Sequence, residues 1–151
     1  VLASLVGYSV IFGRLLGGWL IDRFWAPAVA AVMLSLPALA CLLLQQSALS
    51  YPQMAAAIIV LGLAAGVEYD LMAFLVSRYF GMANYAAIYG SLYGFFALGA
   101  GLGPAWFGRE FTRTGSYEHA FGVAAVLFLA GALPLLLLGR YRSFAPPADA
   151  N

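Results

Sequence analysis

The sequence predicts an all-α fold, a polytopic bundle of transmembrane helices, and three observations carry that prediction. Of the 151 residues, 64% are hydrophobic and only 9% are charged, against roughly 25% charged in an ordinary soluble domain. The apolar residues gather into five runs, each near the ~20 residues that an α-helix needs to cross a bilayer. The polar residues concentrate in the short stretches between the runs. A soluble chain of this composition lacks the polar surface to cover its own core, so lipid is the solvent for most of it.

The first run spans residues 2–21 and closes on the polar pair Asp22-Arg23. The second spans residues 27–44. Pro27 suits the first turn of a helix, where no partner is needed for the missing N–H, and Pro37 predicts a kink. The third spans residues 52–76 and contains Glu68 and Asp70. The fourth, residues 85–107, is rich in glycine and aromatics. The fifth, residues 120–138, is uncharged and carries Pro134 as a second predicted kink. Short loops make successive helices antiparallel neighbours. The bundle is then residues 1–143, and residues 144–151, with Pro146-Pro147, read as a C-terminal tail.

Several function classes are excluded early. All seven cations are arginines, the formal net charge is +1, and no basic tract suggests nucleic acid. Cys41 is the only cysteine, so an intrachain disulfide is impossible. It lies in an apolar run and reads as a small packed hydrophobe. His119 reads as a solvated loop residue beside Glu118. No metal-ligand spacing, phosphate loop or nucleophile elbow is present, so neither metal, cofactor nor enzymatic activity is expected. The chain opens on Val1 within an apolar run, without a basic region or cleavage site before it, and reads as a fragment rather than as a signal peptide.

One set of predicted helix ends carries Arg23, Arg78, Arg140 and Arg142, and the other Arg109 and Arg113 beside Glu110 and Glu118. The positive-inside rule places the first set, and the C-terminus, in the cytoplasm. Three charges are left inside the spans. At about 1.5 Å per residue, Arg14 lies about 15 Å from a boundary at Phe24, close to mid-bilayer. Asp70 lies about 12 Å from Arg78 and Glu68 about 15 Å, so all three fall near one depth. An isolated charge there costs at least about 2.5–3.5 kcal/mol. Arginine hardly deprotonates and needs an anion, whereas a carboxylate can take up a proton. Glu68 and Asp70 are about 200° apart around the helix, so one meets Arg14 while the other contacts a neighbouring helix. The residues leave open which, with a slight preference for Glu68 facing a pore.

Gly62 and Gly66, and likewise Gly90 and Gly94, are four apart, a spacing that lets helix backbones approach closely. Gly99, Gly101, Gly103 and Pro104 make the end of the fourth helix easy to bend or unwind. Tyr85, Tyr89, Tyr93 and Phe96 form a stripe, as packing or as a pore lining in which Tyr89 and Tyr93 are best placed. Trp19, Trp25 and Trp106 lie towards helix ends, where indoles anchor at the interface.

Gly18-x-Leu20-x-Asp22-Arg23 resembles the short loop motif of the major facilitator superfamily. Arg78-Tyr79-Phe80-Gly81, Tyr89-Gly90, Gly101-x-Gly103-Pro104, Thr114-Gly115-Ser116-Tyr117 and Ala120-Phe121 follow in an order similar to the C-terminal half of carriers of the monocarboxylate and oxalate/formate type. The resemblance implies that the five spans are helices eight to twelve of a twelve-helix transporter, five of a six-helix half, with the N-terminal half as partner. It implies that the first, third and fourth spans line a central cavity while the second and fifth face lipid. Gly18, Asp22 and Arg23 would form a cytoplasmic gate, although Trp25, Ala26 and Pro27 replace the usual downstream Gly and basic residues. Arg14, with Gly17 and Gly18, falls where those carriers bind a substrate carboxylate. They commonly carry an aspartate one turn earlier; this chain has Val10, so coupling to a proton passes to Glu68 or Asp70.

The function expected is secondary active transport of a small organic anion of carboxylate type by alternating access, in a bacterial inner membrane. Arg14, Tyr89 and Tyr93 would bind substrate, and Glu68 or Asp70 would act as charge partner or proton carrier. Residues 99–108 also resemble the fifth-helix Gly-Pro motif of proton antiporters, so a drug or cation/proton antiporter is the alternative. A non-transporting membrane scaffold or sensor, with the charges as structural glue, is the third.

Overall fold

A computed structural model of the chain describes residues 2–46 and 48–141. All regular structure among them is helical: α1 (Leu2–Arg23), α2 (Ala26–Leu44), α3 (Tyr51–Phe80), α4 (Tyr85–Thr114) and α5 (Glu118–Ala132), which runs on into a 3₁₀ turn, Leu133–Leu138. Five segments are long and apolar enough to cross a membrane, the fifth being α5 with its 3₁₀ extension. The predicted 144–151 tail and Arg142 lie outside the described residues.

The helix boundaries have local causes. Pro27 occupies the first turn of α2. At the start of α3 the Gln53 side-chain oxygen accepts from the Ser50 backbone N–H at 2.9 Å and from its hydroxyl at 2.8 Å, satisfying groups that a helix end leaves orphaned. α3 stops at Gly81 and α4 at Gly115, both with positive φ (74° and 73°), a conformation that glycine enters without steric cost. The fifth span changes character where Pro134 enters. Proline removes an N–H and collides with the carbonyl four residues earlier, and from Leu133 the helix tightens to 3₁₀.

Two spans are longer than the sequence predicts. α3 and α4 each hold 30 residues, about 45 Å of helix. The Gly99-to-Pro104 stretch is therefore not the end of the fourth helix. It lies inside α4, which continues unbroken for ten residues beyond Pro104, to Thr114. One proline deletes one ladder bond and each glycine costs about 0.5–1 kcal/mol relative to alanine. Neither is enough to end a helix that has apolar flanks on both sides.

The core is built from α1, α2 and α3. Ile21, Ala26, Val29, Ala30, Met33, Val67 and Leu71 form its main cluster. A smaller one joins Ala38 and Cys41 of α2 to Ala125 of α5, so Cys41 packs as the small hydrophobe expected. α2 has a buried face towards α3 and α5 and an exposed apolar face bearing Val32, Leu39 and Leu42. α4 is the peripheral element, resting lightly on α3 and α5.

The two ends of the bundle are chemically distinct. At one end, Tyr79 donates its hydroxyl to the Gly139 carbonyl (2.6 Å) and the Ala26 N–H donates to the Tyr141 hydroxyl (2.8 Å). Arg78 lies over the Phe74 and Tyr141 rings at 5.5 and 5.2 Å. Contacts from α3, α2 and the segment after the 3₁₀ turn thus gather Arg78 and Arg140 at the end where α1 delivers Arg23. At the opposite end, Glu110 accepts from Arg113 (2.7 Å) and contacts His119 Nδ1 (2.9 Å).

A candidate anion site at Arg14

The site starts from glycines. α1 lies against α3 along a seam in which glycines of each helix closely face the other. A Cβ at Gly13 would collide with the Leu63 backbone, and one at Gly17 with the Val67 side chain. A Cβ at Gly62 would meet Ser9, and one at Gly66 would run into the Val10 carbonyl and the Arg14 backbone nitrogen. The Gly62/Gly66 spacing predicts this seam. Gly13 and Gly17 repeat the same spacing on α1, a match visible in the sequence once the partner helix is known.

Close approach at Gly66 places the Arg14 backbone one turn from Asp70. The guanidinium closes the remaining gap: Nη2 lies 3.2 Å from Asp70 Oδ1, with a longer contact of 3.4 Å from Nε to Oδ2. The pairing is two-pronged but looser than the 2.7–2.9 Å of a tight charge-assisted bond. Nor is it sealed: the Arg14 side chain is 61% exposed and that of Asp70 36%. A guanidinium offers five N–H donors, and Asp70 takes two of them. The other donors of Arg14 have no protein acceptor among the described residues.

Of the two acids, Arg14 therefore pairs with Asp70. Glu68 points elsewhere. It lines a cavity of about 530 Å³ between α2, α3, α4 and the 3₁₀ turn, among apolar side chains, and makes no ion pair or hydrogen bond among the described residues. The expected stripe on α4 forms a stack: Tyr85–Tyr89, Tyr89–Tyr93 and Tyr93–Phe96 ring centroids lie 5.5, 6.5 and 6.1 Å apart. It meets α3 at Tyr69, 6.3 Å from Tyr93 and 5.1 Å from Phe96. Tyr69 is not among the residues expected at the site, although its position between Glu68 and Asp70 marks it. Through it the Tyr89–Tyr93 stack reaches the residue adjoining Asp70. The hydroxyls of Tyr89 and Tyr93 have no hydrogen-bond partner among the described residues.

Gly18, Asp22 and Arg23 occupy the last two turns of α1. All three are exposed and form no ion pair among the described residues. Gly90 and Gly94, unlike Gly62 and Gly66, have nothing within 4 Å of a built Cβ, so the predicted close packing at that pair is absent among the described residues. The other polar cluster is one that sequence reasoning missed. Glu110 is only 8% exposed and joins α4 to the start of α5 through His119; His119, read as a solvated loop residue, is exposed yet tied to it. Compared with protein families, curated proteins and solved structures, the chain finds no match in any of the three.

Proposed function

We propose that the chain is part of a secondary active transporter of the major facilitator type that moves a small organic anion of carboxylate type by alternating access. The observation that supports this reading is the Arg14–Asp70 pair: a guanidinium well inside its span, held by one acid, with donors to spare and more than half of its side chain open. An intramembrane ion pair that is open rather than sealed is a functional-site hypothesis by default. In the proposed cycle the substrate carboxylate displaces Asp70 from Arg14, and Asp70 takes up a proton. One anion and one proton enter together, and no charge is left unpaired at depth. When the substrate leaves, Asp70 gives up the proton and returns to Arg14. Tyr89 and Tyr93 offer hydroxyls along the wall, and Gly18, Asp22 and Arg23 belong to the cytoplasmic gate. A second, N-terminal half would complete the cavity, in a bacterial inner membrane with the C-terminus in the cytoplasm.

Uptake of radiolabelled carboxylates by proteoliposomes holding the complete transporter tests the role of Arg14. Arg14→Ala and Arg14→Lys should each lower uptake at least about tenfold, because lysine cannot reproduce the two-pronged fork of a guanidinium. Unchanged uptake in both variants would remove Arg14 from the site and leave the pair as a tie between α1 and α3.

A further inference from the structure

We propose that the open groove between α2, α3, α4 and the 3₁₀ turn holds one acyl chain of an anionic phospholipid, with the lipid phosphate at Arg78 and Arg140. Two independent observations meet at one end of the bundle. The first is the groove itself, about 530 Å³ in volume and within the ~300–1,000 Å³ usual for small-molecule sites. Leu75, Tyr79 and Phe80 of α3, Leu92 and Phe95 of α4, and Leu138 of the 3₁₀ turn wall it. The second is a pair of arginines without an acid. Arg78 precedes Tyr79 and Arg140 follows Gly139, and the Tyr79 hydroxyl donates to the Gly139 carbonyl at 2.6 Å. That bond draws the two arginine-bearing segments together where Phe80 and Leu138 line the end of the groove.

Charge and shape together choose the occupant. Both arginines are exposed, and neither forms an ion pair among the described residues. Arg78 stands over the Phe74 and Tyr141 rings at 5.5 and 5.2 Å. Ring faces attract a guanidinium without accepting its in-plane N–H bonds, so they hold Arg78 in place and leave its donors available. Neighbouring cations repel, and a phosphate diester that accepts from both offsets the repulsion in the two-pronged geometry a guanidinium favours. The groove selects lipid over soluble phosphate, because only a lipid also covers the apolar walls. A chain entering beside Phe80 runs along α3 into the bilayer, as a lipid chain does. Glu68 lies about 16 Å of helix away from Tyr79, so the apolar stretch comes first and the carboxylate stays at the far end. A lipid seated here is independent of the transport reading and requires only that the chain lie in a bilayer.

The test is native mass spectrometry of the full chain, released from micelles holding dioleoyl phosphatidylglycerol and dioleoyl phosphatidylcholine in equal amounts. The wild type should keep one phosphatidylglycerol at least about tenfold over phosphatidylcholine, since each arginine near an anionic headgroup contributes about fivefold. Arg140→Gln should lower that preference about fivefold. Arg78→Gln with Arg140→Gln should abolish it while leaving the helical circular dichroism unchanged. Leu92→Trp fills the groove from a position that is 41% exposed and keeps both arginines; it should lower lipid retention several-fold. Arg109→Gln, at the opposite end, should change nothing. Equal retention of the two lipids by the wild type would overturn the proposal, as would a preference within about twofold of wild type when both arginines are replaced. So would an equal loss in Arg109→Gln, which would make the effect one of net charge, or unchanged retention in Leu92→Trp, which would take the chain out of the groove. Displacement of the lipid by millimolar glycerol phosphate would make the arginines a soluble-anion site and likewise end the proposal.

Discussion

At the scale of single residues, Arg14 and Asp70 decide one another's tolerability. Arginine cannot shed its proton, and its central insertion cost of about 2.5–3.5 kcal/mol is what a nearby carboxylate reduces. Asp70→Asn should therefore destabilise the chain, and Arg14→Gln in the Asp70→Asn background should recover part of that loss. Reversible unfolding in mixed micelles, run as a double-mutant cycle, should give a coupling on the order of 1 kcal/mol, modest because the pair is open. Strictly additive single effects would show that the two charges are independent. That both residues lie well inside α1 and α3 was legible from counting back from the helix ends. The choice between Glu68 and Asp70 was not. It depends on the azimuth at which α1 crosses α3, and that is set where Gly66 admits the Val10–Arg14 backbone.

At the scale of elements, the glycines divide by whether a neighbour is in reach. Gly66→Ala would drive a methyl group into the Val10 carbonyl, and backbone cannot swing aside as a side chain can. The cost should be about 1–3 kcal/mol or more, read as a lowered unfolding midpoint together with loss of the Arg14–Asp70 coupling. Gly90→Ala meets nothing within 4 Å. It should be neutral or stabilise the chain by up to about 1 kcal/mol, since alanine is the better helix former. If Gly90→Ala were as damaging as Gly66→Ala, α4 would be pressed against a further helix along that face. Four-residue spacing reads the same for both pairs, which is why sequence alone predicted contact at each. The five spans themselves were legible because apolar length is a property of one segment. The extra turns of α3 and α4 were not, because they carry polar residues such as Arg78 and Arg109 that a hydropathy criterion trims away.

At the scale of the whole molecule, the bundle sorts its charges between two ends, and that sorting yields a topology. Tyr79, Tyr141 and Arg78 bind the ends of α3, α2 and the post-3₁₀ segment into one cluster. Glu110, Arg113 and His119 form the other. Under the positive-inside rule the Arg23/Arg78/Arg140 end is expected to face the cytoplasm. Cys41 is buried between α2 and α5, so Cys41→Ala leaves a background without thiols. On it, Glu118→Cys and Met82→Cys mark opposite ends at exposed positions, Met82 being 73% exposed. A membrane-impermeant maleimide added to intact spheroplasts should label the Glu118→Cys protein at once and the Met82→Cys protein only after permeabilisation. The reverse pattern would put the arginine-rich end outside, invert the proposed topology and carry Asp22-Arg23 away from the cytoplasmic gate. Equal labelling of both would mean that a bias of three described arginines against two is too small to orient the chain.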